Sequence, residues 1–388
     1  MGAVVSNRPL RVLFYPFLFL PEAWNGMDEH MRLLSRYLDP AHFELLVIEH
    51  EGDGPQTRTL AERAGIKLLA APHSPGAGAA AKVRGLRRLF SQEKIDILHI
   101  HSPAAGGQAA PALAARLARV RATLATYHQI QSRTLPRRTR LINGLTHRFL
   151  VDATVAVSRD VAASLVQRTG VPSGRMLVVH NGIEIEAHAQ PSAPPPAGEV
   201  RLAYFGRLSE EKGVADLLRA LAVLAPRCPQ ARTWIAGEGP ERADLERLAR
   251  KLDITGVVEF LGFRSDAREL MARADIVVHV PRYEGFGLVL LEAMAEGKPV
   301  ITNDAPGGMS EVVVDGETGI VVPAGSERDL AGALARLIED GDERLRLGKN
   351  GRERCLSEFS AEVMARRTAE VYEAVVTRPR RLPSAYRL

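Results

Sequence analysis

The stretch "PRYEGFGLVLLEAMAEG" (281–297) carries two carboxylates eight positions apart, Glu284 before a Gly-Phe-Gly step and Glu292 inside an apolar run. Two acids so placed open three chemistries: a general acid/base pair, a metal site, or two hydrogen-bond acceptors for hydroxyl groups. The apolar, β-branched "DIVVHVP" before Glu284 reads as a strand, and "LVLLEAMAEG" reads as a helix closed by Gly297. Glu284 therefore falls in the loop at the strand's carboxyl end, with Glu292 about one and a half turns into the helix. Gly285 and Gly287 leave backbone N–H groups open at the helix start, a natural seat for phosphate oxygens. Acids on two sides of an anion site suit the neutral hydroxyls of a sugar-bearing nucleotide.

A second stretch, "YFGRLSEEKGV" (204–214), supplies the opposite charge. A strand ends at Phe205, Gly206 allows a tight turn, and Arg207 and Lys212 flank a helix start. Two cations at such a junction suit a diphosphate. "GEGPER" (237–242) looks like a dinucleotide fingerprint, but the third glycine is missing, Glu241 taking the adjacent place. It reads as a strand-to-helix turn facing a cleft. His99 and His101 alternate on one strand with no evident carboxylate partners, which favours strand-end packing or acceptor contact over metal ligation.

The elements that must position these residues come from the hydropathy pattern. Short apolar strands alternate with longer amphipathic helices, twice over. "RVLFYPF", "FELLVIEH", "KLLAAP", "DILHIHS", "ATLATYH", "ATVAVS" and "MLVVHN" are the strands of the first half. After the Pro/Ala-rich "EAHAQPSAPPPAGE", the strands "VRLAYFGR", "RTWIAGEG", "VVEFLGF", "DIVVHV", "KPVITND", "EVVVDG" and "TGIVVP" repeat the scheme. Near-continuous apolar strands separated by helices mean parallel sheets covered on both faces. The expected organisation is an N-terminal Rossmann-like domain over 1–185, a linker over 186–199, a second such domain over 200–360, and a C-terminal segment, 361–388, whose helix crosses back to the first domain. Ligands of such sheets sit outside the carboxyl ends of the strands.

At 388 residues the chain is too long for one ordinary core, and its 46% hydrophobic content is that of a globular protein. "VLFYPFLFL" (12–20) is short and broken by Pro16, so it reads as a buried first strand rather than a signal peptide or membrane span. Cys228 and Cys355 make neither a disulfide framework nor a structural zinc site, and a reducing cytoplasm is the default. Residues 1–190 carry 23 Lys+Arg against 15 Asp+Glu, and the remainder 28 against 31. The positive half includes "AKVRGLRRLF" (81–90) and "SRTLPRRTRLINGLTHRFL" (132–150), read as solvated helix faces or as contacts with an anionic membrane surface or charged acceptor. No aromatic-interleaved basic stretch points to nucleic acid.

Taken together, "FGRLSEEKG", "GEGP", "FLGF", "EGFGLVLLEAMAEGKPVI" and "GGMSEVVVDGETGIVVP" resemble glycosyltransferase family 4, retaining enzymes of the GT-B fold. The resemblance covers essentially the whole chain and is densest over 201–325, with "VSRDVAASLV" and "VVHNGIE" matching in the first half. It implies an α/β chain of two doubly wound Rossmann-like domains facing across a cleft. By the same resemblance Arg207 and Lys212 bind the donor diphosphate. Glu284 lies near the transferred sugar's hydroxyls and Glu292 on the donor ribose. Phe286, Gly287 and Leu288 match the backbone that meets phosphate and sugar, and Gly285 is counted beside them among the donor-binding residues. Gly262, Phe263 and Arg264 match the loop beside the nucleobase, and His128 in "TYH" a histidine at the donor sugar. One departure stands out: where the family has a Gly-Gly pair after the first strand, this chain has Asn25-Gly26. Gly26 keeps the close approach to phosphate, and Trp24 and Asn25 fall on the sugar or acceptor side.

The implied reaction is metal-independent transfer of a sugar, with retention, from a nucleoside diphosphate sugar (UDP first, GDP next) to an acceptor hydroxyl. No metal and no cofactor is implied. "DGD" (340–342) mimics the metal motif of the other major glycosyltransferase fold, yet lies between C-terminal helices and reads as a solvated turn. A nucleotide-sugar 2-epimerase, a phosphorylase of the same fold and a non-catalytic sugar-nucleotide binder are the competing readings. The acceptor stays open among a glycan, a lipid-linked molecule and a small molecule. The expected location is cytoplasmic, with peripheral contact at the inner membrane face through the basic first domain.

Overall fold

The computed structural model describes residues 8–17, 26–50, 56–74, 76–131, 133–185, 198–377 and 382–388. They fall into two compact units, one running to Gly182 and resuming at Ala361, the other spanning Ile183–Ser360. The expected linker, apart from its last two residues, and Trp24 and Asn25 lie outside the described residues.

The first unit alternates β1 (Leu10–Pro16), α1 (Gly26–Tyr37), β2 (Phe43–Glu49), α2 (Gln56–Ala64), β3 (Lys67–Ala70), α3 (Ala79–Gln92), β4 (Ile97–Ser102), α4 (Ala109–Leu117), β5 (Ala122–Tyr127), α5 (Arg137–Phe149), β6 (Ala153–Ala156), α6 (Arg159–Thr169) and β7 (Met176–Val178). Its seven strands make one parallel sheet in the order β3-β2-β1-β4-β5-β6-β7. Every residue of β4, β5 and β6 is buried, as a sheet covered on both faces requires. The chain winds outward from β1 to β3, then restarts at β4. With right-handed crossovers, α1 and α2 cover one face and α3 to α6 the other.

The second unit repeats the scheme with β8 (Val200–Phe205), α7 (Val214–Leu224), β9 (Ala231–Ala236), α8 (Arg242–Lys251), β10 (Val258–Gly262), α9 (Ala267–Arg273), β11 (Ile276–His279), α10 (Leu288–Ala295), β12 (Val300–Asn303), α11 (Met309–Val312), β13 (Ile320–Val322), α12 (Glu327–Glu339) and α13 (Gly341–Glu358). The sheet order is β10-β9-β8-β11-β12-β13, again parallel throughout. Each sheet reverses its winding once, between β1 and β4 and between β8 and β11. Those switch points open a crevice at the carboxyl ends of the strands.

The last long helix, α14 (Ala361–Thr377), belongs to the first unit. Its Tyr372 is buried beside Phe43 (ring centroids 5.6 Å), and the Met364 sulfur accepts the Gly182 N–H. One expected strand is absent: "EVVVDG" (311–316) opens as the last two residues of the helical turn α11 and then enters a loop. The hydroxyl of Thr318 accepts the Val314 N–H (2.9 Å) and Asp315 Oδ1 accepts the Val321 N–H (2.9 Å). These side-chain bonds replace the ladder that a strand would have used. The "DGD" step starts a helix, its Asp340 Oδ1 accepting the Glu343 N–H at the head of α13 (2.8 Å).

Candidate active site

In the second unit the switch point gathers the loops after β8 and β11. The first loop turns through a short 3-10 segment, Glu210–Lys212, before Gly213 starts α7. Three bonds tie it to the second loop. Arg282 N–H donates to Glu211 O (2.8 Å), the Arg282 guanidinium to Glu210 Oε1 (2.6 Å), and Lys212 Nζ to Glu284 Oε2 (2.7 Å). Gly213 makes this contact possible. With φ +69° it lies so close to β11's exit that a Cβ there would sit 2.0 Å from Val280 O.

Glu284 is the hub. Its Oε2 also meets His279 Nε2 (3.2 Å), and its Oε1 accepts the Gly285 N–H (2.8 Å). Burial alone would raise the Glu284 pKa, but the His279 hydrogen bond and the Lys212 charge outweigh it and hold the carboxyl well below the usual range. Burial lowers the His279 pKa, with Glu284 opposing only in part, so its ring is neutral near pH 7. Its Nε2 then carries the proton and donates to Glu284. The Tyr204 ring stacks near His279 (6.2 Å), and its hydroxyl donates to Arg207 O (3.1 Å), holding the loop that bears Arg207.

The structure separates the other expected residues by exposure. Arg207 is exposed and pairs with Glu211 Oε1 (2.6 Å), which Ser209 Oγ also reaches (2.7 Å). Phe286 is buried edge-on against Phe359 (5.9 Å), so only its backbone can serve a ligand. Gly287, at φ +90°, turns the chain into α10, which begins at Leu288. Glu292 stands exposed on that helix. The Gly285 N–H, expected open, is taken by the Glu284 carboxylate. Gly262 closes β10, and Phe263 after it is 78% exposed, with Arg264 bonded to Asp266 (2.7 Å). Because the sheet is parallel, all these loops leave its carboxyl edge. "GEGP" forms the turn after β9 and buttresses the Arg207 loop: Leu208 N–H donates to Glu238 O (2.8 Å) and Glu241 N–H to Leu208 O (3.0 Å).

In the first unit, Gly26 opens α1 and His128 follows β5, both at the carboxyl edge of that sheet. His128 Nε2 lies 3.3 Å from His101 Nδ1, and His30 Nδ1 meets Asn181 Oδ1 (2.8 Å). Among the described residues, His30, His101 and His128 could hold a metal ion, with ligand atoms within 4.8 Å of one another. Desolvation pushes His30 down to about 4 against the opposing Asn181 bond, and drives His101 and His128 well below the ordinary imidazole value. His101 Nε2 and His128 Nδ1 are buried with no hydrogen-bond partner among the described residues. However the shared proton sits between the two rings, one of these atoms is an N–H donor and the other an acceptor. His99 bonds to Tyr372 OH (2.6 Å) and Thr126 Oγ1 (2.7 Å), a packing role.

Comparison with known proteins fits this geometry. Residues 24–187 match the model of Glycosyltransferase Family 4, and residues 187–354 that of Glycosyl transferases group 1. EpsD of Bacillus subtilis, named as a glycosyltransferase, is 30% identical across 76% of this chain and 80% of its own length. The chain belongs to glycosyltransferase family 4. The glycosyltransferase is also similar to glycogen synthase of Mycobacterium tuberculosis, 28% identical over 94% of this chain and 95% of that one. Among solved structures, Anabaena Alr3699/HepE in complex with UDP superposes with a TM-score of 0.80 at 25% identity, covering 94% of this chain and all of that one. The architecture of the glycosyltransferase is therefore GT-B, built from two Rossmann-like α/β units.

Sequence reasoning missed His279 and Tyr204 in the second unit and His30 in the first. His279 had a readable signal, a histidine at the carboxyl end of an apolar strand and five residues before Glu284. His30 had none, because its partner Asn181 is 151 residues away.

Proposed function

We propose that this glycosyltransferase moves a sugar, with retention and without a metal ion, from a nucleoside diphosphate sugar to an acceptor hydroxyl. UDP-sugars are the first choice of donor and GDP-sugars the second. One observation carries the reading: the Lys212–Glu284 pair at the switch point of the second sheet, its carboxylate held ionised by His279. An ionised carboxylate accepts hydrogen bonds from sugar hydroxyls. The ammonium beside it, with Arg207 on the same loop, offsets the charge that builds on a departing diphosphate. Two resident cations supply what a metal ion would otherwise supply. UDP in the solved Anabaena relative supports the donor class.

In this reading Gly287 and Leu288 present backbone to the phosphates, Glu292 takes the ribose hydroxyls, and Phe263 offers an exposed ring beside the base. Gly26 and His128 serve the donor from the first unit, His128 through the donor-and-acceptor pair it shares with His101. The sugar C1–O bond breaks and its electron pair leaves with the diphosphate. The acceptor oxygen attacks C1 from the same face, and its proton passes to a leaving phosphate oxygen. The test is a panel of UDP-, GDP- and ADP-sugars, scored by thermal stabilisation and by slow release of free nucleotide in excess EDTA. Stabilisation with release is expected. Release that stops in EDTA and returns with a divalent cation refutes metal independence. A new sugar nucleotide formed without release would mark an epimerase.

A further inference from the structure

Helix α5 is amphipathic the wrong way round. Its buried residues are polar: Asn143 Nδ2 donates to Thr169 O (3.2 Å), and His147 bonds Tyr127 OH (2.9 Å) and Thr154 Oγ1 (2.8 Å). Its exposed residues are four large apolar side chains and three arginines: Leu141 and Phe149 are each 64% exposed, and Ile142, Leu145, Arg137, Arg138 and Arg148 are exposed beside them. At ~100° per residue these four fall within one arc of about 100°, and Arg137, Arg138 and Arg148 fall within or beside that arc. Helix α3, the other basic helix noted in the sequence, shows the ordinary arrangement, with Leu86 and Phe90 buried and its arginines largely in solvent. Nothing in general packing requires α5 to differ, since an exposed apolar stripe loses free energy in water.

The surface extends beyond one helix. Helix α4 packs against α5 on the same face of the sheet and exposes Leu113 and Leu117 one turn apart. From Ile97 to Val151 the chain carries eight arginines and no Asp, Glu or Lys. A second copy is a poor occupant, because a two-fold contact would press this positive face against itself. An apolar stripe among cations fits a headgroup layer of negative charge over hydrocarbon. Among the described residues no helix is long and apolar enough to cross a membrane, so any contact through this face is peripheral.

We propose that α5, with the exposed edge of α4, docks the protein on an anionic lipid bilayer. This goes beyond the donor and acceptor reading and does not depend on it, because the test reads binding alone. The full chain is floated with vesicles of equimolar phosphatidylglycerol and phosphatidylcholine, and with phosphatidylcholine alone. Binding only to the anionic vesicles is expected, weakening as salt rises. The Arg137→Glu/Arg138→Glu pair should lower partitioning at least about tenfold, as expected when two surface cations are reversed. The Leu141→Ser/Leu145→Ser/Phe149→Ser triple should do the same with an unchanged thermal midpoint, since those side chains are exposed. Equal binding to both vesicle types, or binding indifferent to the serine substitutions, overturns the proposal. So does a dimer in solution that the serine substitutions dissociate, which would give the face to a second copy.

Discussion

Lys212 and Glu284 meet at 2.7 Å although 72 residues separate them in the chain. Each sits in a loop that leaves the carboxyl end of a neighbouring strand, β8 or β11, where the winding of the second sheet reverses. The pair is three-quarters buried or more, with side chains 22% and 18% exposed. It is therefore both a structural clasp between two loops and a charge pair at the mouth of the crevice.

Removing one partner should show both roles. Lys212→Ala leaves a largely buried carboxylate without its ammonium, a change that costs about 2 kcal/mol of stability, below the range for fully buried pairs because some exposure remains. Urea denaturation measures this. Turnover should fall by at least about a hundredfold if Lys212 stabilises the leaving diphosphate. Intact turnover with the donor still bound would end the phosphate assignment, whatever the stability change.

The two glutamates should separate kinetically. Glu292 stands exposed on α10, so Glu292→Ala should fold normally and raise the donor KM with a smaller change in kcat, as expected for lost ground-state binding. Under the proposed assignment Glu284→Ala should mainly lower kcat, because it removes the carboxylate assigned to the transferred sugar's hydroxyls. Measuring both constants for both variants decides it, and the reverse pattern would exchange the two assignments.

Much of this unit is legible in the sequence alone. "FGRLSEEKG" and "EGFGLVLLEAMAEG" each follow an apolar strand, so their charged residues had to fall at strand ends, and parallel winding brings such ends to one edge. The sequence could not show that Lys212 and Glu284 would bond to each other, because that depends on sheet order. Nor could it show that the Gly285 N–H would be spent on its neighbour's carboxylate. "EVVVDG" failed for a local reason: three successive valines look like a strand, but Thr318 and Asp315 capture the backbone groups the ladder needed.

Two glycines with the same dihedral allow a controlled test of the clasp. Gly213 and Gly297 both have φ +69°, so alanine at either pays the left-handed penalty of about 1 kcal/mol. A Cβ at Gly297 meets nothing within 4 Å, whereas one at Gly213 meets Val280 O at 2.0 Å. Gly297→Ala should lower stability by about 1 kcal/mol and leave turnover near normal. Gly213→Ala must also part the β8 and β11 loops, so about 3 kcal/mol or more and most of the turnover should be lost. Equal effects in denaturation and turnover would show that the close approach does not govern the site.

The first unit should be sensitive to mild acid. Burial pushes His30 and His147 down to about 4 in the folded protein, against an ordinary value of 6.5. Between those values the unfolded chain binds protons that the folded chain does not, so stability falls as pH falls. Above about 6.5 both states leave these rings neutral and the contribution is constant; below about 4 it levels off again. Within the window each such histidine contributes a slope of up to ~1.4 kcal/mol per pH unit. Urea unfolding followed by circular dichroism between about pH 7 and about pH 5 should show the decline. His30→Gln removes one titrating ring while keeping a polar side chain near Asn181, so its slope should be shallower by up to that amount. A slope unchanged in the variant would mean that His30 is already protonated in the folded state, contrary to its burial.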